Sequence, residues 1–259
     1  MALQKRNNLR KTRLDNLNQK KDTLEISHIK WTAKDAFISI IFLVVVLIGI
    51  YYGLAKIAPF LKIGDRISIS NITSLSFSIL YGIQVLLMLG VVWFFAIYFR
   101  GSSFKDLGLT YYSIIKTIWY SILALLLIFL INFIYVFIVT NVFNIFPSDN
   151  KIEELVASKS VSTTILLIVV SIIAPFCEEI FFRGFLFQAF KKSWGTFSGL
   201  FISSFLFAAA HLELYNFIPL MAIGWILAYI FHKTKSLIPT IFLHAVYNLI
   251  MILVLFSQI

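Results

Sequence analysis

The stretch APFCEEIFFRG, Ala174 to Gly184, sets Glu178, Glu179 and Arg183 inside a run otherwise dominated by Phe, Ile and Val. An ionisable group at the centre of a bilayer costs about 3 kcal/mol on insertion scales, so it normally faces a partner or a watery cavity. Glu179 and Arg183 are spaced i,i+4, which puts them on one helix face as an ion pair. Glu178 points about 100° away at 3.6 residues per turn, so the same Arg cannot serve both carboxylates equally. One carboxylate is left relatively free. Two readings follow: a buried ion-pair lock between helices, or a group placed for proton transfer.

The rest of the chain says that the setting is a membrane. Of 259 residues, 60% are hydrophobic, 17% aromatic and only 13% charged, where an ordinary globular domain has roughly 25% charged residues. The apolar residues come in blocks of about 20, the length needed to cross a hydrocarbon core about 30 Å thick. The expected spans are Ala36–Ala55, Ser76–Phe99, Ile114–Val139, Thr163–Phe190, Gly199–Ala210, Phe217–Phe231 and Leu237–Phe256. The fold class is therefore an all-α polytopic transmembrane bundle of about seven to eight spans. Pro175, Pro219 and Pro239 are potential helix breaks.

The formal net charge is +10, and residues 1–35 carry nine basic against four acidic side chains, half of that excess. Ahead of a membrane span such a tail fits the positive-inside rule better than a nucleic-acid arm, and it suits contact with anionic lipid. No cleavable signal pattern is visible in it. Alternation from a cytoplasmic N-terminus puts Arg100, Lys105, Lys191, Lys192, Lys233 and Lys235 on the cytoplasmic side. The loop with Lys62, Asp65 and Arg66 is the exception. Three parts result: a basic tail (1–35), N-terminal transmembrane helices (36–160) and a C-terminal core (161–257). Cys177 is the single cysteine, so no intrachain disulfide forms, and it reads as a small packing residue. Trp31, Trp93, Tyr111 and Trp119, near span ends, read as interface anchors.

Further polar residues sit on later apolar helices. His211 ends FLFAAAH, four residues after Phe207, and His244 and Asn248 in LHAVYN are again i,i+4. One histidine on an apolar helix is ordinarily a satisfied core residue. A Glu, two His and an Asn on three helices can instead converge in one bundle interior. Glu and His bind divalent metals or activate water, while Asn and His N–H groups stabilise an oxyanion. There is no HExxH and no GxSG, and each Asp (15, 22, 35, 65, 106, 149) lies outside the expected spans, which excludes a membrane-embedded aspartyl dyad. His232 beside Lys233 reads as interfacial.

EEIFFRG (Glu178 to Gly184), FAAAH (Phe207 to His211) and HAVYN (His244 to Asn248) match EExxxR, FxxxH and HxxxN, in that order. Together they resemble the CPBP intramembrane proteases, which include the CAAX prenyl endopeptidases and the Abi or bacteriocin self-immunity proteins. The resemblance covers about Val161 to Ile250. It implies hydrolysis of a peptide bond in a membrane-associated substrate. Glu178 and His211 would activate the attacking water, directly or on a divalent metal. His244 and Asn248 would hold the oxyanion or complete the metal site, and Glu179 and Arg183 would orient the helix. Zinc is the metal implied by donor type, with Glu178, His211 and His244 as its ligands, and the sequence does not decide whether one is needed. The expected partners are membrane lipid and a peptide or protein substrate at the bilayer, with no nucleic acid. The expected location is a bacterial cell membrane. The alternative is a non-catalytic immunity or scaffold protein that binds a bacteriocin-like peptide or a partner protein.

Overall fold

The computed structural model describes residues 27–57, 74–146 and 161–257, and every regular element among them is helical. Most of the basic tail, the Lys62–Arg66 loop and residues 147–160 lie outside the described residues. Helix α1 (Ala33–Ile57) is followed by α2 (Ser74–Val92), which runs on as a π-helical stretch, Trp93–Phe99. Next comes α3 (Ile114–Asn141). A long composite follows: α4 (Thr163–Ile168), a π stretch (Val169–Ile173), α5 (Ala174–Glu179), a second π stretch (Ile180–Phe187) and α6 (Gln188–Ala210). Helices α7 (Phe217–Thr234) and α8 (Ile238–Ser257) complete it. The chain is a polytopic helical bundle.

Its surface has the composition expected of a lipid-facing one. Phe133, Leu126, Ile115, Ile41 and Leu86 are each more than 60% exposed, and a water-soluble monomer rarely carries so wide an apolar face. In hydrocarbon every backbone polar group must be satisfied internally, and helices do that within one segment. Among the described residues, six helical stretches are long and apolar enough to cross a membrane. One is Thr163–Ala210, with 48 residues. Straight, it would extend about 72 Å, more than twice the hydrocarbon thickness.

It is not straight. Gly195 has φ 87° and ψ 170°, far from helical values. A Cβ on Gly199 would lie 3.0 Å from the Cβ of Lys191, eight residues back, where a straight helix separates such residues by about 12 Å. The chain folds back at Gly195. Phe182 on the first leg therefore meets Phe207 on the second, ring centres 5.2 Å apart. The sequence reading ended the fourth helix at Lys191 and Lys192 and began the next span at Gly199; the helix in fact continues to a corner at Gly195.

The prolines fall where helices tolerate them. Pro219 and Pro239 occupy first turns, where an N–H would lack an intrahelical acceptor anyway. Pro175 is interior, and the Val169–Ile173 π stretch lies immediately before it. A proline removes the hydrogen bond to the carbonyl four residues back and crowds it, so a widened turn is the local accommodation.

The core is aromatic, built around Phe181, Phe182, Phe185, Phe187, Phe190 and Phe207. Trp31 belongs to it. Expected as an interface anchor, it is 0% exposed. Its Nε1–H donates to the Phe185 carbonyl at 2.9 Å, and its ring stacks on that of Phe185. The segment before α1 is clamped at further points. Lys192 donates to the Ile29 carbonyl, and the Ala33 N–H donates to Ser193 Oγ at 2.9 Å. Asp35, in the first turn of α1, pairs with Arg100 at 2.8 Å. A hydropathy window registers none of these long-range partners.

At the same end, the 104–110 turn packs on the loop between α7 and α8. Gly108 has φ +91°, and a Cβ there would sit 2.5 Å from the Phe231 ring. Gly108→Ala should therefore cost more than about 1 kcal/mol. Gly82→Ala, at a site with nothing within 4 Å, should leave the melting temperature in detergent unchanged or slightly raised.

Candidate active site

Three parts of the fold meet around Arg183. Its Nη1 donates to Glu179 Oε1 at 2.6 Å, and its Nη2 to the Gly224 carbonyl of α7 at 3.3 Å. The guanidinium carbon stands 4.4 Å from the centre of the Phe207 ring on α6. Arg183 is 1% exposed and Glu179 0%. Such burial is tolerable because both charges are paired and the cation also meets an aromatic face. Gly224 makes the approach possible: a Cβ there would lie 3.1 Å from the Ser204 Cα. Small residues at helix crossings let backbones come close in this way.

His244 lies between the two glutamates. Its Nδ1 is 2.9 Å from Glu179 Oε1, and its Nε2 is 3.8 Å from Glu178 Oε2. The first is a hydrogen bond; the second is too long for one. With Nδ1–H donated to Glu179, a neutral ring turns its Nε2 lone pair toward Glu178. Glu178 is the more accessible carboxylate, its side chain 20% exposed against 0% for Glu179. The buried Oε2 of Glu178 has no hydrogen-bond partner among the described residues. The sequence grouped His244 with Glu178 as a prospective metal ligand; the structure seats its Nδ1 on Glu179, 65 residues away in the chain.

His211 approaches from the end of α6. Its Nδ1 is 2.8 Å from the Phe207 carbonyl, and its ring centre is 4.7 Å from that of Phe207. Nδ1 is therefore the donor, and a neutral ring keeps its lone pair on Nε2. His244 touches the same phenyl ring, with centres 5.6 Å apart. Asn248 Nδ2 donates to the Val170 carbonyl in the first π stretch at 2.9 Å. The structure thus gathers Glu178, Glu179, Arg183 and His244 by direct approach, links His211 to them through Phe207, and ties Asn248 to the helix that carries the glutamates. Phe207 and Gly224 are additions: Phe207 opens FAAAH, and Gly224 lies in an apolar run with no polar signal.

For a metal, the expected ligands were Glu178, His211 and His244. Among the described residues no group of three His, Cys, Asp or Glu is gathered closely enough to hold one. His244 already has one nitrogen on Glu179, and His211 has one on a carbonyl. As arranged, the donors do not fit a closed zinc site, and no chemical step below is routed through a metal.

Residues 160–250, which contain all six of these side chains, match the family described as type II CAAX prenyl endopeptidase Rce1-like. Over these residues the chain is similar to that family. It is similar to the protein named "Putative membrane peptidase YdiL" of Bacillus subtilis (strain 168), 36% identical over 85 residues, which is 32% of this chain and 34% of the relative. It is also similar to an "Uncharacterized 24.3 kDa protein" of Escherichia coli, 36% identical over 77 residues, 29% of this chain and 36% of that one. The chain spans about a third of the length of the curated relatives it matches. No solved structure matches it significantly. Helices α1 to α3 and the Trp31 clamp lie outside the Rce1-like segment.

The two glutamates should differ in stability terms. Removing one partner of a buried pair leaves an uncompensated charge, at a cost of about 3–5 kcal/mol. Arg183→Met and Glu179→Ala should be destabilised on that scale in reversible unfolding from mixed micelles. Glu178→Gln should stay within about 1 kcal/mol of wild type.

Proposed function

We propose that the chain is an intramembrane endopeptidase that hydrolyses a peptide bond presented at or within the bilayer. The observation that carries this is Glu178: a half-buried carboxylate with an unpartnered oxygen, beside a histidine that Glu179 and Arg183 hold in place. The Rce1-like family and the peptidase name of one relative support the same reaction class.

In this reading Glu178 takes a proton from a water, with the free Nε2 of His211 as its second acceptor. The water oxygen attacks the scissile carbonyl carbon, and the carbonyl π electrons move to oxygen. Asn248, through its second amide hydrogen, and a charged His244, through Nε2–H, stabilise the oxyanion. Collapse breaks the C–N bond, and the proton held by Glu178 passes to the leaving amine. Glu179 and Arg183 touch no reacting atom; they hold His244 and the helix in register. Low water activity inside the bundle strengthens these interactions.

The substrate class is a membrane-associated peptide or protein. The charge rule supports an N-terminus and basic helix ends in the cytoplasm, and the setting proposed is a bacterial cell membrane. Maturation of a secreted peptide, or immunity to one, suits that setting.

Purified protein in lipid, incubated with a model transmembrane peptide, should yield fragments detectable by mass spectrometry. Glu178→Gln and His211→Ala should lose at least about a hundredfold in rate while inserting and melting normally. Retention of full biological activity by both variants would establish the scaffold reading instead. A tight chelator should change the rate less than about twofold; loss restored by zinc would bring His211 in as a metal ligand.

A further inference from the structure

Helix α3 lies outside the Rce1-like segment, yet two of its polar side chains reach the parts of the chain that carry the candidate histidines. Asn132 Nδ2 donates to Tyr247 Oη at 3.2 Å, and Tyr247 stands between His244 and Asn248 in the sequence of α8. Tyr135 Oη donates to the carbonyl of Tyr215, in the loop that follows His211, and the two rings meet edge to face at 5.9 Å. Asn132 and Tyr135 are spaced i,i+3, so one face of α3 makes both contacts. Taking the endopeptidase reading as given, we infer that Asn132, acting through Tyr247, is a positioning residue for His244 and Asn248, and that Tyr135 is one for His211.

The Asn132 contact fixes how α8 is rotated. His244 meets Glu179 and Asn248 meets the Val170 carbonyl, both on the long composite helix. Tyr247 leaves α8 about 100° around its axis from Asn248 and about 60° from His244, and it is held from α3 instead. Polar contacts on two sides of one helix leave it little freedom to roll. The apolar packing nearby gathers Ala124 and Ile128 of α3 with Leu227 of α7 and Leu243 of α8. Such packing sets no rotation by itself, because the hydrophobic effect is non-directional. A roll of α8 would carry His244 and Asn248 away from the oxyanion together.

Stability does not account for Asn132. Its Oδ1 is buried and has no hydrogen-bond partner among the described residues. A buried acceptor without a donor is costly, and a hydrogen bond between membrane helices returns little on average. A leucine of similar volume would carry no such cost. What the amide supplies is direction. The phenol ring of Tyr247 also packs on Phe129, ring centres 6.0 Å apart, so removing its hydroxyl leaves that packing in place.

The test is cleavage of a model transmembrane peptide by the purified protein in lipid, with kcat and KM separated. Melting in detergent is measured alongside, as is the side-chain amide NMR signal of Asn248, assigned by its loss in Asn248→Ala. Asn132→Leu and Tyr247→Phe should each lower kcat roughly tenfold to a hundredfold, with KM within about twofold of wild type. Their melting temperatures should stay within about 2 °C of wild type. The double variant should lose no more than the worse single one, because both changes cut the same contact. Tyr135→Phe should also lower kcat, and its loss should add to that of Asn132→Leu. The Asn248 signal should move in Asn132→Leu and Tyr247→Phe. It should stay in place in Asn141→Ala, a polar deletion further along α3 whose amide donates within its own helix. A full rate in Asn132→Leu, an equal loss in Asn141→Ala, or melting that falls in step with the rate would overturn the positioning role. If wild type and every variant cleave nothing, the endopeptidase reading fails, and an unmoved Asn248 signal then overturns the α3 contact separately.

Discussion

A guanidinium that is 1% exposed in an apolar bundle has to find all its partners within the protein, and Arg183 finds them on three elements. Glu179 supplies the opposite charge from one turn back, Gly224 a carbonyl from α7, and Phe207 a ring face from α6. Burying a pair like this adds little net stability, because desolvation consumes most of the Coulombic gain. Its contribution is geometric. Once Arg183 is in place, α6, α7 and the Ile180–Phe187 stretch can cross only where those three partners coincide. His244 is then aligned through Glu179, which carries the constraint onto α8.

The backbone bends to meet that requirement. Two π stretches flank the glutamates, one immediately before Pro175 and one carrying Arg183. Such widened turns commonly mark functional positions within helices. The first also contains the carbonyl that Asn248 binds, and the second the carbonyl that Trp31 binds. The helix bearing the candidate chemistry is thus gripped on both sides of its charged turn, once by the C-terminal core and once by the segment leading into α1. The grip from Trp31 lies outside the Rce1-like segment, so the N-terminal part of the chain bears on the helix that carries the glutamates.

Charge is divided between two levels. In the bundle interior Glu179 and Arg183 pair, and His244 stands between Glu179 and Glu178. At one end lie Arg100, Lys191, Lys192 and Lys235, together with Asp35 and Asp106. Gln188, four residues past Gly184, connects the two levels.

By itself the sequence determined the solvent and the unit of structure. Blocks of about 20 apolar residues admit only helices in lipid. It also determined the i,i+4 relation of Glu179 to Arg183, because that spacing is a local property of any helix. Three motifs on three helices were enough to indicate the resemblance to a family. Tertiary structure decided the rest. Residue spacing cannot report that His244 lies between the glutamates, that Trp31 is core rather than interface, or that Lys191 and Lys235 meet at His232. Each of these depends on how separate helices cross, and the crossings follow from small residues and bends, at Gly195, Gly224 and the turn before Pro175. These features leave almost no trace in hydropathy, because a glycine or a widened turn changes backbone geometry without changing polarity.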